Sequence, residues 1–245
     1  MAAGAARLPV GENAMKNILL IPPLVLILAI ARAAWGQELT AAYDRRIAPA
    51  GEWLAKMLDR MDVEHHWLRG HDHVAWKTGL PLQMEHGKVL TPLAEDETHC
   101  SAFAAAAADD LGIYLLHPPE HSHVLLANAQ YDWLPSAKAR EAGWRPVDSP
   151  LDAQQTANRG ELVVAVFKNP DPTQPGHIAI VRPSDESPGE IQAKGPQITQ
   201  AGFNNYRSAD LQMGFDHHPG AWEPDGKGGV KFYAHEVDGA KLAGE

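Results

Sequence analysis

The chain has 245 residues, 44% apolar and 21% charged, which is enough to bury one globular domain of about 200 residues behind a short leading segment. Its 21 basic and 31 acidic side chains give a net charge of −10 with no basic stripe. That excludes nucleic acid and anionic membrane surfaces as expected partners, since both are recognised through clustered Lys and Arg. A single cysteine, Cys100, excludes an internal disulfide.

Residues 1–36 are expected to be a leader. Lys16 supplies the positive start of an export signal, Ile18 to Ile30 form its apolar run, and Ala31-Arg32-Ala33 or Ala34-Trp35-Gly36 offers a small-x-small cleavage site. Residues 1–14 do not read as a signal n-region, which makes Met15 a candidate initiator. The run is short for a bilayer and is broken by Pro22-Pro23, so no membrane span is expected after cleavage; an uncleaved N-terminal anchor is the alternative. The expected location is secreted or periplasmic. No cysteine lies near the cleavage point, so lipidation there is not expected.

Residues 37–90 form an expected N-terminal extension of helix and loop. From Glu38 to about Arg69 the pattern is helical, with Leu54, Met57, Leu58 and Met61 at helical spacing and an interruption at Pro49. His65, His66, His71 and His73 follow, with Glu64 and Asp72. Neutral imidazoles suit zinc, but the spacing matches no recognised zinc motif, so a solvated loop is favoured over a metal site. Trp76 to Gly79 reads as a turn next to the cysteine segment, and Trp76 is either core or a substrate contact.

Residues 91–245 are the expected catalytic domain. Thr98 is a candidate N-cap, Ala102 to Ala108 favour helix, and Gly112 supplies the stop, so Cys100 falls in a first helical turn. There the helix dipole and the unpaired N–H groups favour a thiolate. A buried cysteine acting as a small apolar side chain is the plain alternative. Helices are expected at about Glu120 to Leu134 and Leu151 to Asn158, the latter stopped by Gly160. The period then changes. Glu161 to Phe167, His177 to Val181, Gln197 to Ala201 and Val230 to Val237 read as strands, with Ser184 to Gly195 as a polar, turn-rich connection. Helices first and antiparallel strands afterwards describe an α+β domain, with N-terminal helices packed on a small sheet.

A thiolate nucleophile needs a base, and the base needs an orienting group. His177 opens a strand after a Pro- and Gly-containing loop and shares a face with Ala179 and Val181. Gln200, paired in face with Ile198 on the next strand, could reach its far ring nitrogen; Asn204 and Asn205 are the nearby substitutes. His177 as an ordinary strand-end histidine and Gln200 as an exposed strand residue are the competing readings. His99 and Ser101 flank the thiol and, with Asn204, are candidate substrate contacts.

Cys100 at a helix start, Gly176-His177 leading into Ile178-Ala179-Ile180-Val181, and a polar residue on the following strand resemble the papain-like peptidoglycan hydrolases, the CHAP amidases and NlpC-type endopeptidases being closest in layout. The resemblance covers roughly residues 90 to 205. It implies a papain-like α+β fold and a cysteine peptidase or amidase, with Cys100 as nucleophile, His177 as general base and acid, and Gln200 as orienter. It further implies a peptidoglycan or peptide substrate, a monomer, and no metal or organic cofactor. His99 departs from the Asp or Gln usual before the cysteine, and Gln200 from the usual His, Asn or Glu. The rival readings are a non-catalytic wall-binding module of the same fold and a metal-binding protein using His65, His66, His71 and His73.

Overall fold

A computed structural model describes residues 43–67, 74–79 and 99–242. The expected leader, the histidines at 71 and 73 and the candidate cap Thr98 lie outside them. Helix α1, Pro49–Arg60, begins at the proline expected to interrupt a longer helix, because a first-turn proline has no backbone N–H to lose. It buries Leu54, Met57 and Leu58.

Helix α2, His99–Asp110, is buried along its alanine run from 102 to 108. Side chains this small let the helix backbone approach the sheet closely. Gly112, at φ +71°, ends it. The N–H of Gly112 donates to Asp109 O at 2.8 Å and that of Ile113 to Ala108 O at 2.8 Å, the paired bonds of a Schellman stop.

The remaining elements are α3 (Leu126–Trp133), α4 (Ala137–Glu141), β1 (Arg145–Val147), α5 (Pro150–Asn158), β2 (Leu162–Phe167), β3 (His177–Val181), α6 (Pro188–Lys194), β4 (Gln197–Gln200), β5 (Tyr206–Asp210), α7 (Leu211–Gly214), a 3-10 turn (Pro224–Gly226), β6 (Lys231–His235) and α8 (Gly239–Leu242). The strands form one six-stranded sheet in the order β1-β6-β2-β3-β4-β5. Every pairing is antiparallel. The fold is α+β.

Both faces of the sheet are covered. Val164, Val166, Ile178 and Ile180 join the core made with Phe103 and the α2 alanines. Val163, Ala165, Ala179, Val181 and Ile198 join Ala153 and Ala157 of α5, Leu211 and Phe215. Burial on two sides explains why β2 and β3 read as unbroken apolar runs rather than alternating ones.

Several expected elements differ. The helix expected from Glu120 starts only at Leu126, because Leu125 adopts a left-handed conformation at φ +50° and the chain before it turns. The connection expected at 184–195 contains α6, nucleated by a capping box in which Ser187 and Glu190 satisfy each other's backbone. β1 is not among the expected strands, and Pro146 is tolerated in it because β1 is an edge strand. Among the described residues, no helix is long and apolar enough to cross a membrane.

Candidate functional site

Cys100 lies in the first turn of α2, 1% exposed. His177 is the first residue of β3, 4% exposed, and Gln200 is the last of β4, 2% exposed. The pairing of β3 with β4 matches Ile180 to Thr199 and Val181 to Ile198. Continued by the strand period, that register sets Gln200 opposite Ala179 and Gly202 opposite His177. The missing side chain at Gly202 makes the site: a Cβ there would sit 3.3 Å from His177 Cε1, and 3.9 Å from both His177 Nδ1 and Cys100 Cβ. The thiol-bearing carbon and the imidazole thus flank one methyl-sized position.

The hydrogen bonds fix which nitrogen of His177 is basic. Gln200 Nε2 donates to the Asn204 carbonyl at 3.1 Å, so Oε1 is the amide atom left to face the ring. That oxygen lies 2.8 Å from His177 Nε2, which therefore donates. The neutral ring then carries its lone pair on Nδ1, which lies 3.9 Å from the position of a Cβ on Gly202, as does Cys100 Cβ. Burial pushes the His177 pKa down to about 4, against the opposing Gln200 bond and the Asp216 charge. The imidazole is neutral at pH 7, as a base must be before it takes a proton.

Gly176 explains the Gly-His pair. A Cβ there would lie 2.2 Å from Phe167 O and 2.4 Å from Asn128 Oδ1. Asn128, on α3, accepts from Asn169 N–H at 3.1 Å and donates to Gln174 O at 2.9 Å, pinning both ends of the loop that delivers His177.

The loop carrying Gly202 is tied to the N-terminal extension. Asn205, 2% exposed, accepts from Gly202 N–H at 3.0 Å and donates to Val63 O at 2.9 Å and Trp67 O at 2.7 Å. Asn205→Ala strips partners from three backbone groups. It is expected to lower unfolding free energy by about 2–4 kcal/mol, read from the urea midpoint. An unchanged midpoint would show that this loop is held by other contacts.

His218 was not identified in the sequence as part of this site. Its ring stacks on His177 with centroids 5.0 Å apart and planes 17° from parallel, while Phe215 meets His177 edge-on at 4.6 Å. Burial, then the neighbouring His177 and His217, push the His218 pKa down to about 3. The only sequence signal was the His217-His218 pair itself.

The other candidates are placed differently. His99 is 3% exposed and Ser101 0%; the Ser101 carbonyl accepts from Gln130 Nε2 at 3.1 Å. Trp76 stacks on His117, centroids 3.9 Å apart, in an aromatic group with Tyr114 and Trp133. Asn204 meets the site through its backbone carbonyl. His65 pairs with Asp62 at 2.7 Å and His66 with Thr78 O at 2.6 Å. Among the described residues, no group of three or more His, Cys, Asp or Glu side chains is placed to hold a metal ion.

No protein-family model and no curated protein matches this chain. The structure brings a cysteine in a first helical turn and a neutral, oriented imidazole to the same glycine, Gly202.

Proposed function

We propose that this chain is an exported cysteine hydrolase of the papain-like type, similar in layout to the CHAP and NlpC peptidoglycan hydrolases, that cleaves peptide or amide bonds of the bacterial cell wall. The observation that carries the reading is the oriented imidazole: the Gln200 bond holds the proton on Nε2 and leaves Nδ1 basic, beside the Gly202 position that Cys100 Cβ also approaches. Cys100 Sγ attacks the carbonyl carbon while its proton passes to His177 Nδ1. The tetrahedral intermediate collapses, the C–N bond breaks, and the amine leaves with that proton. Water, deprotonated by the same nitrogen, then attacks the thioester and releases a carboxylate, and the thiol regains its proton.

The test is digestion of purified sacculi by the full-length chain, with released muropeptides read by mass spectrometry. Fragments from the wild type and none from Cys100→Ala support the reading, and their masses name the bond. Intact sacculi with the wild type would overturn the wall substrate.

A second reading rests on the burial of the site. Cys100, His177 and Gln200 are all nearly enclosed, which suits a wall-binding module that keeps the fold without the chemistry. A thiol that alkylates only after unfolding would favour it.

A further inference from the structure

Among the described residues, three large hydrophobic side chains are exposed: Phe203 at 60%, Met213 at 48% and Tyr114 at 37%. Two of the three are chain neighbours of glycines packed against the side chains of the site. Phe203 lies between Gly202, which separates Cys100 from His177, and Asn204, whose carbonyl holds the Gln200 amide. Met213 precedes Gly214, where a Cβ would stand 2.6 Å from Gln200 Oε1. Phe203 is also braced. His217 meets its ring edge-on with centroids 4.6 Å apart, and Asn204 Nδ2 lies 3.4 Å from His217 Nε2.

An aromatic ring left in water beside buried polar machinery gives up hydrophobic stabilisation that a buried position would have supplied. Its backing by His217 limits the rotamer freedom that binding would otherwise have to remove.

We infer that Phe203, backed by His217 and accompanied by Met213, forms the wall of the substrate subsite beside Cys100, and that this wall takes a C–H-rich face of the substrate, an aliphatic side chain or a pyranose ring. Such a face covers the aromatic ring without needing a charge or a directed hydrogen bond. The inference rests on the cysteine-hydrolase reading and adds what the hydrolase selects for.

The experiment measures alkylation of Cys100 in the full-length chain by intact mass. Three chloroacetamides are compared: N-methyl, N-cyclohexyl and N-chloroacetylglucosamine. Displacement of chloride by the thiol is the same for each, so differences report contacts to the appended group. The wild type should favour at least one ring-bearing reagent over the methyl one by about tenfold, and the ratio should fall near unity in Phe203→Ala, persist in Phe203→Trp and be unchanged in Tyr114→Ala. Which ring is preferred separates an aliphatic from a sugar substrate. Equal ratios in wild type and Phe203→Ala, with Cys100 reacting normally, would overturn the subsite and leave the hydrolase standing. No reaction of native Cys100 with any reagent would overturn both.

Discussion

Replacing His177 with phenylalanine should lower hydrolysis by about 10²–10⁴-fold, the usual contribution of a general base. Phenylalanine keeps a ring between Phe215 and His218, the two aromatic partners of the native imidazole. It removes the nitrogen that accepts the thiol proton in the proposed mechanism. His177→Ala removes ring and nitrogen together, so comparable losses in the two variants assign the effect to chemistry rather than packing. Gln200→Ala should cost less, about 10²-fold, because an unheld imidazole is misplaced rather than missing. Rates of muropeptide release, with circular dichroism to confirm folding, check all three. A folded His177→Phe protein with full activity would remove His177 from the mechanism.

The second large effect is on stability. His177 and His218 are both held neutral by burial, with pKa values of about 4 and about 3 against an ordinary 6.5. As pH falls below 6.5 the unfolded chain binds protons that the folded chain refuses, so acid favours unfolding. The stability is complete above pH 6.5, is lost progressively between 6.5 and about 4, and levels off for His177 once the folded state also protonates. A depression of this size at His177 corresponds to about 3 kcal/mol. His218 adds to the loss in the same window. Carboxylates contribute lower down: Asp59, whose pKa is lowered first by its bond to Arg207 and further by Arg182, titrates below the ordinary carboxylate range. Urea unfolding at pH 7.5 and 4.5 separates the two windows. The wild type should lose several kcal/mol, and His218→Phe less. Equal stability at the two pH values would contradict the burial of two neutral histidines.

The strands nearest the site were legible because their ends are punctuated. Prolines and Gly176 precede His177 and Pro183 follows Val181, which bounds β3 by rules that need no tertiary information. The alanine run and Gly112 located α2 in the same way. Gln200 could be named beside His177 because a strand period of two fixes which residues share a face. His218 could not. Its contact with His177 is made by a turn beyond β5 that folds back across the end of the sheet, and no local periodicity encodes that return. Gly202 is of the same kind, since its importance follows only from the register that sets it opposite His177. The capping box of Ser187 and Glu190 was present in the sequence, but its prolines and glycines read as a loop. The helix start at Leu126 depends on a left-handed Leu125, a conformation that leucine seldom adopts and composition does not signal.

The most direct test of the central claim is the second-order rate at which iodoacetamide alkylates Cys100 in the native full-length chain, followed from pH 5 to 9. Wild type is compared with His177→Phe. A nucleophile served by the Nδ1 of His177 should react readily near neutral pH in the wild type. In the variant the rate should be at least tenfold slower at pH 7, and the profile should shift toward that of an ordinary thiol near pH 8.5. Identical profiles, or a Cys100 that reacts only after denaturation, would contradict the pairing on which the account depends.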